Sequence, residues 1–161
     1  MKHVKTNMFT ELRGHAKQYL LQSILATLSV FIVFLLLNMH ETVIIASIGG
    51  SAFIVFAMPK SITAATRHVI GGHVVGIFSG FLCSLLPHDH YLLSLVVYSL
   101  AVGVSMFLMV ITDTEHPPAA ATALGFAIQG FAWKVALILL ASVVVLSIIH
   151  WYFRHHMHDL T

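Results

Sequence analysis

The run of residues best equipped for chemistry is Thr112-Asp113-Thr114-Glu115-His116-Pro117-Pro118, followed by Ala119-Ala120-Ala121-Thr122-Ala123-Leu124-Gly125. Proline lacks an N–H, so it suits the first turn of a helix, where that donor would have no partner. The run therefore predicts a short helix starting near Pro117 and Pro118, with small alanines that pack closely against neighbours. A helix start presents free N–H groups and a positive dipole end, and a small anion can be held there without a full charge. Glu115 and His116 would flank such a site. The plainer reading is a capped helix start, with Asp113 and Glu115 as capping residues beside a surface histidine.

A second cluster lies between Pro59 and Gly80. Arg67, His68 and His73 fall at or just inside the start of a helix, and Gly72, Gly76 and Gly80 recur every fourth residue on one face. Glycines at that spacing point to close contact with another helix, within the chain or in a second copy. Arg67 reads as a polar anchor or as a charge at the mouth of a site. His73 lies within an apolar run, where an ionisable group lines a pathway or finds a partner. A protonatable histidine also suits coupling of an anion to a proton near neutral pH. Upstream, Gly49-Gly50-Ser51 interrupts another apolar run and supplies a hydroxyl.

Other clusters carry less. His88 and His90 flank Asp89, and His155, His156 and His158 crowd the last residues, but neither group has the ligand set of a closed zinc site. A haem between His73 and His150 has no cytochrome-like pairing to support it. Cys83 sits in an apolar run and reads as a packing residue. There is no nucleophile elbow, zinc-protease motif or phosphate-binding glycine loop. The expectation is a protein that is not an enzyme and needs no cofactor or resident metal.

The elements that position these residues must sit in a membrane. Only 9% of 161 residues are charged and 58% are hydrophobic, and the mean hydropathy is +0.93. A soluble domain is about a quarter charged. With 8 Lys and Arg against 6 Asp and Glu, no basic surface for nucleic acid exists. Residues 19–38, 68–87, 91–112 and 135–153 form long charge-free runs, each matching a spanning helix. Residues 42–58 and 117–133 are shorter and glycine-bearing. The predicted fold is all-α: a polytopic transmembrane bundle of four secure spanning helices plus two short ones. Residues 1–18 form a cytoplasmic segment, 19–153 one transmembrane domain, and 154–161 a histidine-rich tail that reads as a solvated terminus. The basic run before residue 19 precedes an apolar stretch long enough to span and lacking a small-residue cleavage site, unlike a cleavable signal. Residues 8–19 read as a polar tail or a surface-lying helix.

If all six runs cross, Lys2, Lys5, Arg13, Lys17, Lys60, Arg67 and Arg154 share one side and only Lys134 faces the other. That asymmetry places the N-terminus in the cytoplasm. Five crossings split the charge equally well. Glu41 and Lys60 bracket the first short run, and Glu115 and Lys134 bracket the second at the same 74-residue offset. Three crossings per half would make the halves inverted repeats, as in many secondary transporters.

The EHPPAAATALG stretch resembles the HPP-motif family of integral membrane proteins, and IGGSAFIVFAMPKS and RHVIGGHVVG extend the likeness in the same order. The sequence departs from the family pattern at Thr63-Ala64-Ala65-Thr66, at His68, and at Ala119 and Ala120. The resemblance implies about four spanning helices and, through members associated with nitrite transport, a small inorganic anion as partner. The expected function is anion transport, nitrite first and proton-coupled, by a homo-oligomer in a bacterial-type inner membrane. The rival is a membrane-embedded ion- or metal-binding sensor. The expected substrate-binding residues are His116, Pro117, Pro118, His73, Arg67, Gly72, Gly50, Ser51 and Glu115. The anion is expected between residues 116–119 and the Gly71–His73 segment.

Overall fold

The computed structural model describes residues 8–36 and 42–160, and among these the chain is helical with no strand. Lys2, Lys5 and Glu41, which enter the charge and repeat arguments, lie outside the described residues. The helices are α1 (Met8–Leu36), α2 (Thr42–Ala57), α3 (Thr66–Ser84), α4 (Tyr91–Ile111), α5 (Pro118–Gln129) and α6 (Trp133–Phe153). Short 3-10 turns occupy Ile62–Ala64 and Arg154–His156. The all-α expectation holds. Met8 to Leu36 is one continuous helix, so residues 8–19, read as a polar tail or a surface-lying helix, are part of α1.

By length and composition, Tyr91–Ile111 and Trp133–His156 are the two described helices suited to cross a membrane, and Val43–Ala57 is a shorter apolar one. Helix α5 has 12 residues, about 18 Å at 1.5 Å per residue. That falls short of the roughly 30 Å hydrocarbon layer. The surface is apolar where a soluble protein would be polar: Leu28, Phe31, Leu92, Val96, Phe107, Leu137 and Ile148 are all exposed. Polar side chains collect inside, among them Ser47, Ser51, His73, His116 and Thr122. Large apolar side chains from α2, α5 and α6, including Ile48, Phe56, Phe126, Leu139 and Leu146, fill the main core. Cys83 packs with Val97, Ala101, Ala123 and Ala127 in a smaller one, as its apolar run implied.

Helices α3 and α5 lie parallel and very close. A methyl group on Gly72 would meet Ala119 at 3.4 Å, one on Gly76 would meet Thr122 at 3.3 Å, and one on Gly80 would meet Phe126 at 2.7 Å. The glycine face of α3 is therefore used within the chain, against α5, and not between copies. Helix α2 crosses α5 in the opposite sense: Gly50 meets Pro118, Ser47 meets Thr122, and Ile44 meets Gly125. At one end of the bundle the C-termini of α2 and α6 meet, where His150 Nε2 donates to Pro59 O (3.0 Å) and Leu160 N to Ala57 O (2.8 Å). The tail is thus docked: Met157 is buried, and Asp159 accepts from Lys60 N at 3.0 Å. Gln22 of α1 binds the carbonyls of both Phe56 and His158 at the same end.

The substantially packed helix pairs are α3–α5, α3–α4, α2–α5, α4–α5, α1–α2, α3–α6, α2–α6 and α1–α6. Exchanging α1, α2 and α3 for α4, α5 and α6 returns the same set. The third helix of each half packs against the short helix of the other.

Replacing Gly80 with Val puts a branched side chain against Ala123 O, 2.6 Å from the first carbon, and Phe126. The expected cost is about 1–3 kcal/mol, read as a lower thermal midpoint in detergent. Gly103→Val, where nothing lies within 4 Å, leaves the midpoint nearly unchanged. Equal midpoints for the two variants would contradict the tight α3–α5 seam.

Candidate functional site

Each polar group at the centre of the bundle comes from a different local circumstance. Ser47 and Ser51 are one turn apart on α2, so both face the same neighbour. His73 projects from α3 beside Gly72, and Thr122 from the second turn of α5. His116 precedes α5 in the loop that leaves α4. Close packing of α3 on α5 brings the two imidazoles together, with ring centres 5.3 Å apart.

All of these side chains are shut off from solvent; Ser51, His73, His116 and Thr122 are each 0% exposed. Ser51 Oγ lies 2.8 Å from His73 Nε2 and 2.9 Å from His116 Nε2. His73 Nδ1 is 2.8 Å from Thr122 Oγ1, which is 2.8 Å from Ser47 Oγ. Ser47 Oγ donates to Pro118 O at 2.6 Å, and His116 Nδ1 donates to Thr63 O at 2.8 Å. The Thr63 carbonyl belongs to the 3-10 turn between α2 and α3, which Ser61, the residue before it, caps by accepting from Thr63 N. A network from α2, α3, α5 and two loops is thereby closed on itself. Inside an apolar bundle each of these bonds is strengthened, and each unpaired group would be costly.

Of the residues expected to bind substrate, His116, His73, Ser51, Gly50, Gly72 and Pro118 converge here. Gly50 and Gly72 contribute by having no side chain: a methyl on either would meet Pro118 or His116. Pro117 is exposed at the start of α5. Arg67 and Glu115 stand apart from this group, nearer the surface. Arg67 pairs with Asp113 at 2.8 Å in a solvent-exposed contact and donates to Thr112 O at 3.2 Å. Glu115 lies beside His68, 3.6 Å from its Nδ1. Together His68, Asp113 and Glu115 place three possible ligand atoms within 4.8 Å of one another.

Three details differ from the sequence reading. The N-terminus of α5 does not offer free amides to an anion. Pro117 and Pro118 have none, and Ala119 N and Ala120 N bond back to His116 O and Pro117 O at 2.8 and 3.1 Å. Direct contact also fills the space between α5 and the Gly71–His73 segment, where a methyl on Gly71 would lie 2.6 Å from Thr114 Cγ2. Asp113 is not a cap of α5; it ends α4. Its φ is +52°, and Thr114 N reaches Met109 O (2.9 Å) while Asp113 N reaches Val110 O (3.3 Å). That pair of bonds is the Schellman arrangement, with aspartate at the position glycine usually takes. Sequence reasoning missed Ser47, Thr122 and the Thr63 carbonyl. Two hydroxyls at helical spacing in an otherwise apolar α2 were the available signal. His73 and His150 bond different groups, which leaves the axial pairing considered above without geometric support.

The sequence model of the family described as "HPP, transmembrane region" matches residues 11–159. A transmembrane protein of Dictyostelium discoideum is 36% identical over 88 residues. The matched stretch is 55% of this chain but 31% of that relative, so the chain spans about a third of its length. No solved structure matches.

Ser51→Ala leaves the Nε2 atoms of both imidazoles without their shared partner. A buried polar group left unpaired costs about 1–3 kcal/mol, so the variant should melt well below the unmodified protein in detergent. Ser79→Ala is the control: that hydroxyl only bonds back to Val75 O in its own helix and should cost much less. Matching midpoints for Ser51→Ala and Ser79→Ala would show that the network does not hold the bundle together.

Proposed function

The chain belongs to the HPP transmembrane-region family, and on that premise we propose that it is a membrane transporter for a small inorganic anion, with nitrite the first candidate. One observation carries the reading. A closed set of hydroxyls and imidazoles sits at the junction of α2, α3 and α5, wholly buried in a bundle whose outside is apolar. Polar and ionisable groups inside a membrane bundle are costly, and where they occur they mark substrate or ion pathways. Ser51, Thr122, His73 and His116 present the donors that a two-oxygen anion needs. They bond to one another in the closed state, and when the helices part they turn to the ligand. Arg67 draws the anion to the mouth.

The exchangeable pattern of helix packing supports an inverted repeat of α1–α3 and α4–α6, with the site at the interface of the halves, as alternating access requires. Neighbouring helices reverse direction through the chain, which fits six crossings with Lys60, Arg67 and Arg154 on the cytoplasmic side of a bacterial-type inner membrane. The six described helices, two of them short, enclose little volume, and a homo-oligomer would complete the lipid-facing seal. A second reading, a membrane-embedded cation sensor, draws on the His68, Asp113 and Glu115 cluster at the mouth.

In vesicles containing the purified protein, nitrite uptake saturates, and replacing His73 and His116 together by Ala lowers its rate at least about tenfold, in the range expected when buried donors to a bound charge are lost. Uptake that never saturates, or that survives the double replacement, would overturn the anion site. Saturable divalent-cation binding without anion movement would favour the sensor. Single cysteines at Lys60 and Lys134 should react with an impermeant reagent from opposite faces. Reaction from one face rules out six crossings.

A further inference from the structure

The central network has a deficit that its geometry makes countable. Between Thr63 O and Pro118 O runs one path of six contacts: Thr63 O–His116 Nδ1, His116 Nε2–Ser51 Oγ, Ser51 Oγ–His73 Nε2, His73 Nδ1–Thr122 Oγ1, Thr122 Oγ1–Ser47 Oγ and Ser47 Oγ–Pro118 O. Every contact is between 2.6 and 2.9 Å, so each calls for a hydrogen between its two heavy atoms. Both ends are carbonyl oxygens, which only accept. Five side chains lie along the path, and with both imidazoles neutral each brings one hydrogen. Five hydrogens for six contacts leave one contact as two facing acceptors. Ser47 O, 3.0 Å from Ser51 Oγ, competes for the same supply.

One added proton fills the path, and it does so in two ways. In the first, His116 is the imidazolium: it donates to Thr63 O and to Ser51, Ser51 donates to His73, His73 to Thr122, Thr122 to Ser47, and Ser47 to Pro118 O. In the second, His73 is the imidazolium, donating to Ser51 and Thr122, while Ser51 donates to His116. The two arrangements interconvert when His116 Nε2 gives its proton to Ser51 Oγ as Ser51 gives its own to His73 Nε2. No atom other than hydrogen moves, and charge is conserved.

We propose that the His73–Ser51–His116 centre is a storage site for one exchangeable proton, held jointly by the two imidazoles through the Ser51 hydroxyl. A second proton would put two positive rings 5.3 Å apart in an apolar interior, which like-charge repulsion opposes. The surrounding elements add little else that titrates. Helices α2 and α5 carry no ionisable side chain. Helix α3 brings Arg67 and His68, and the loop before α5 brings Asp113 and Glu115, all at the mouth, while Cys83 of α3 packs away from the centre with Val97, Ala101 and Ala127. His150 of α6 is bound to Pro59 O, and Tyr91 and Tyr98 of α4 belong to the half of that helix remote from the mouth. The inference rests on the transport reading only for its use, in which the stored proton is the coupling ion.

The test is a pH titration of the full chain in lipid nanodiscs, following the histidine ring nitrogens by 15N NMR. His73 and His116 should move together in one step, each by roughly half the displacement of a full imidazolium, as coupled sites sharing a proton do. In Ser51→Ala one ring should take the whole displacement and the other none, while Ser51→Thr, which keeps the hydroxyl, should restore sharing. If Ser51→Ala does not fold, the unmodified protein and Ser51→Thr still decide. Two separate full steps, or no movement of either ring while the protein stays folded, would overturn the proposal. The readout needs no substrate: shared titration without nitrite uptake would sink the transport reading alone, and uptake without shared titration would sink only this one.

Discussion

The close approach of α3 to α5 is the constraint on which the rest of the structure depends. Without side chains at Gly72, Gly76 and Gly80, the backbone of α3 can lie against Ala119, Thr122 and Ala123. In a membrane, helices gain little from hiding apolar surface from each other, so tight backbone packing of this kind does much of the work of association. The same approach sets His73 and His116 side by side. It also shuts both rings off from solvent, where protein groups surround each imidazole, and Ser51 on α2 is the group that reaches both. Packing and polar chemistry are two consequences of one seam.

Sequence alone was informative wherever a residue's role followed from its type and its immediate neighbours. The lack of charge dictated a helical membrane bundle, and the shortness of residues 117–133 foretold the short helix α5. His73 stood out because an ionisable side chain in an apolar run needs a reason. Gly72, Gly76 and Gly80 announced a helix contact, but glycines do not name their partner, and nothing local distinguished α5 from a second copy. Ser47 and Thr122 were passed over because hydroxyls in apolar helices usually bond back to their own backbone, as Ser79 and Ser142 do here. Only the antiparallel crossing of α2 and α5 makes them partners.

The Asp113 to Pro118 segment shows how one stretch can serve two helices. Read forward from Asp113, its acids and prolines resemble the start of α5. In three dimensions its first part closes α4 with a left-handed aspartate, and its prolines let α5 begin with no side-chain cap. The segment also links the buried centre to the surface: His116 turns inward to Ser51, while Asp113 and Glu115 turn to Arg67 and His68. Motif and site coincide because this loop has to reconcile two helix ends with one buried imidazole.

The cross-wise pairing of short and long helices also orders the events of biosynthesis. Helix α3 precedes α5 in the chain, so His73 reaches the bilayer before Thr122 and His116 can bond to it. Its first partner is Ser51 on α2, already made. Until α5 follows, the glycine face of α3 lacks the helix it packs against. Neither half of the chain can complete its own polar interior. The nascent protein therefore passes through a stage in which its most costly residue waits in the membrane half-satisfied, and a ribosome stalled before α5 would hold it there.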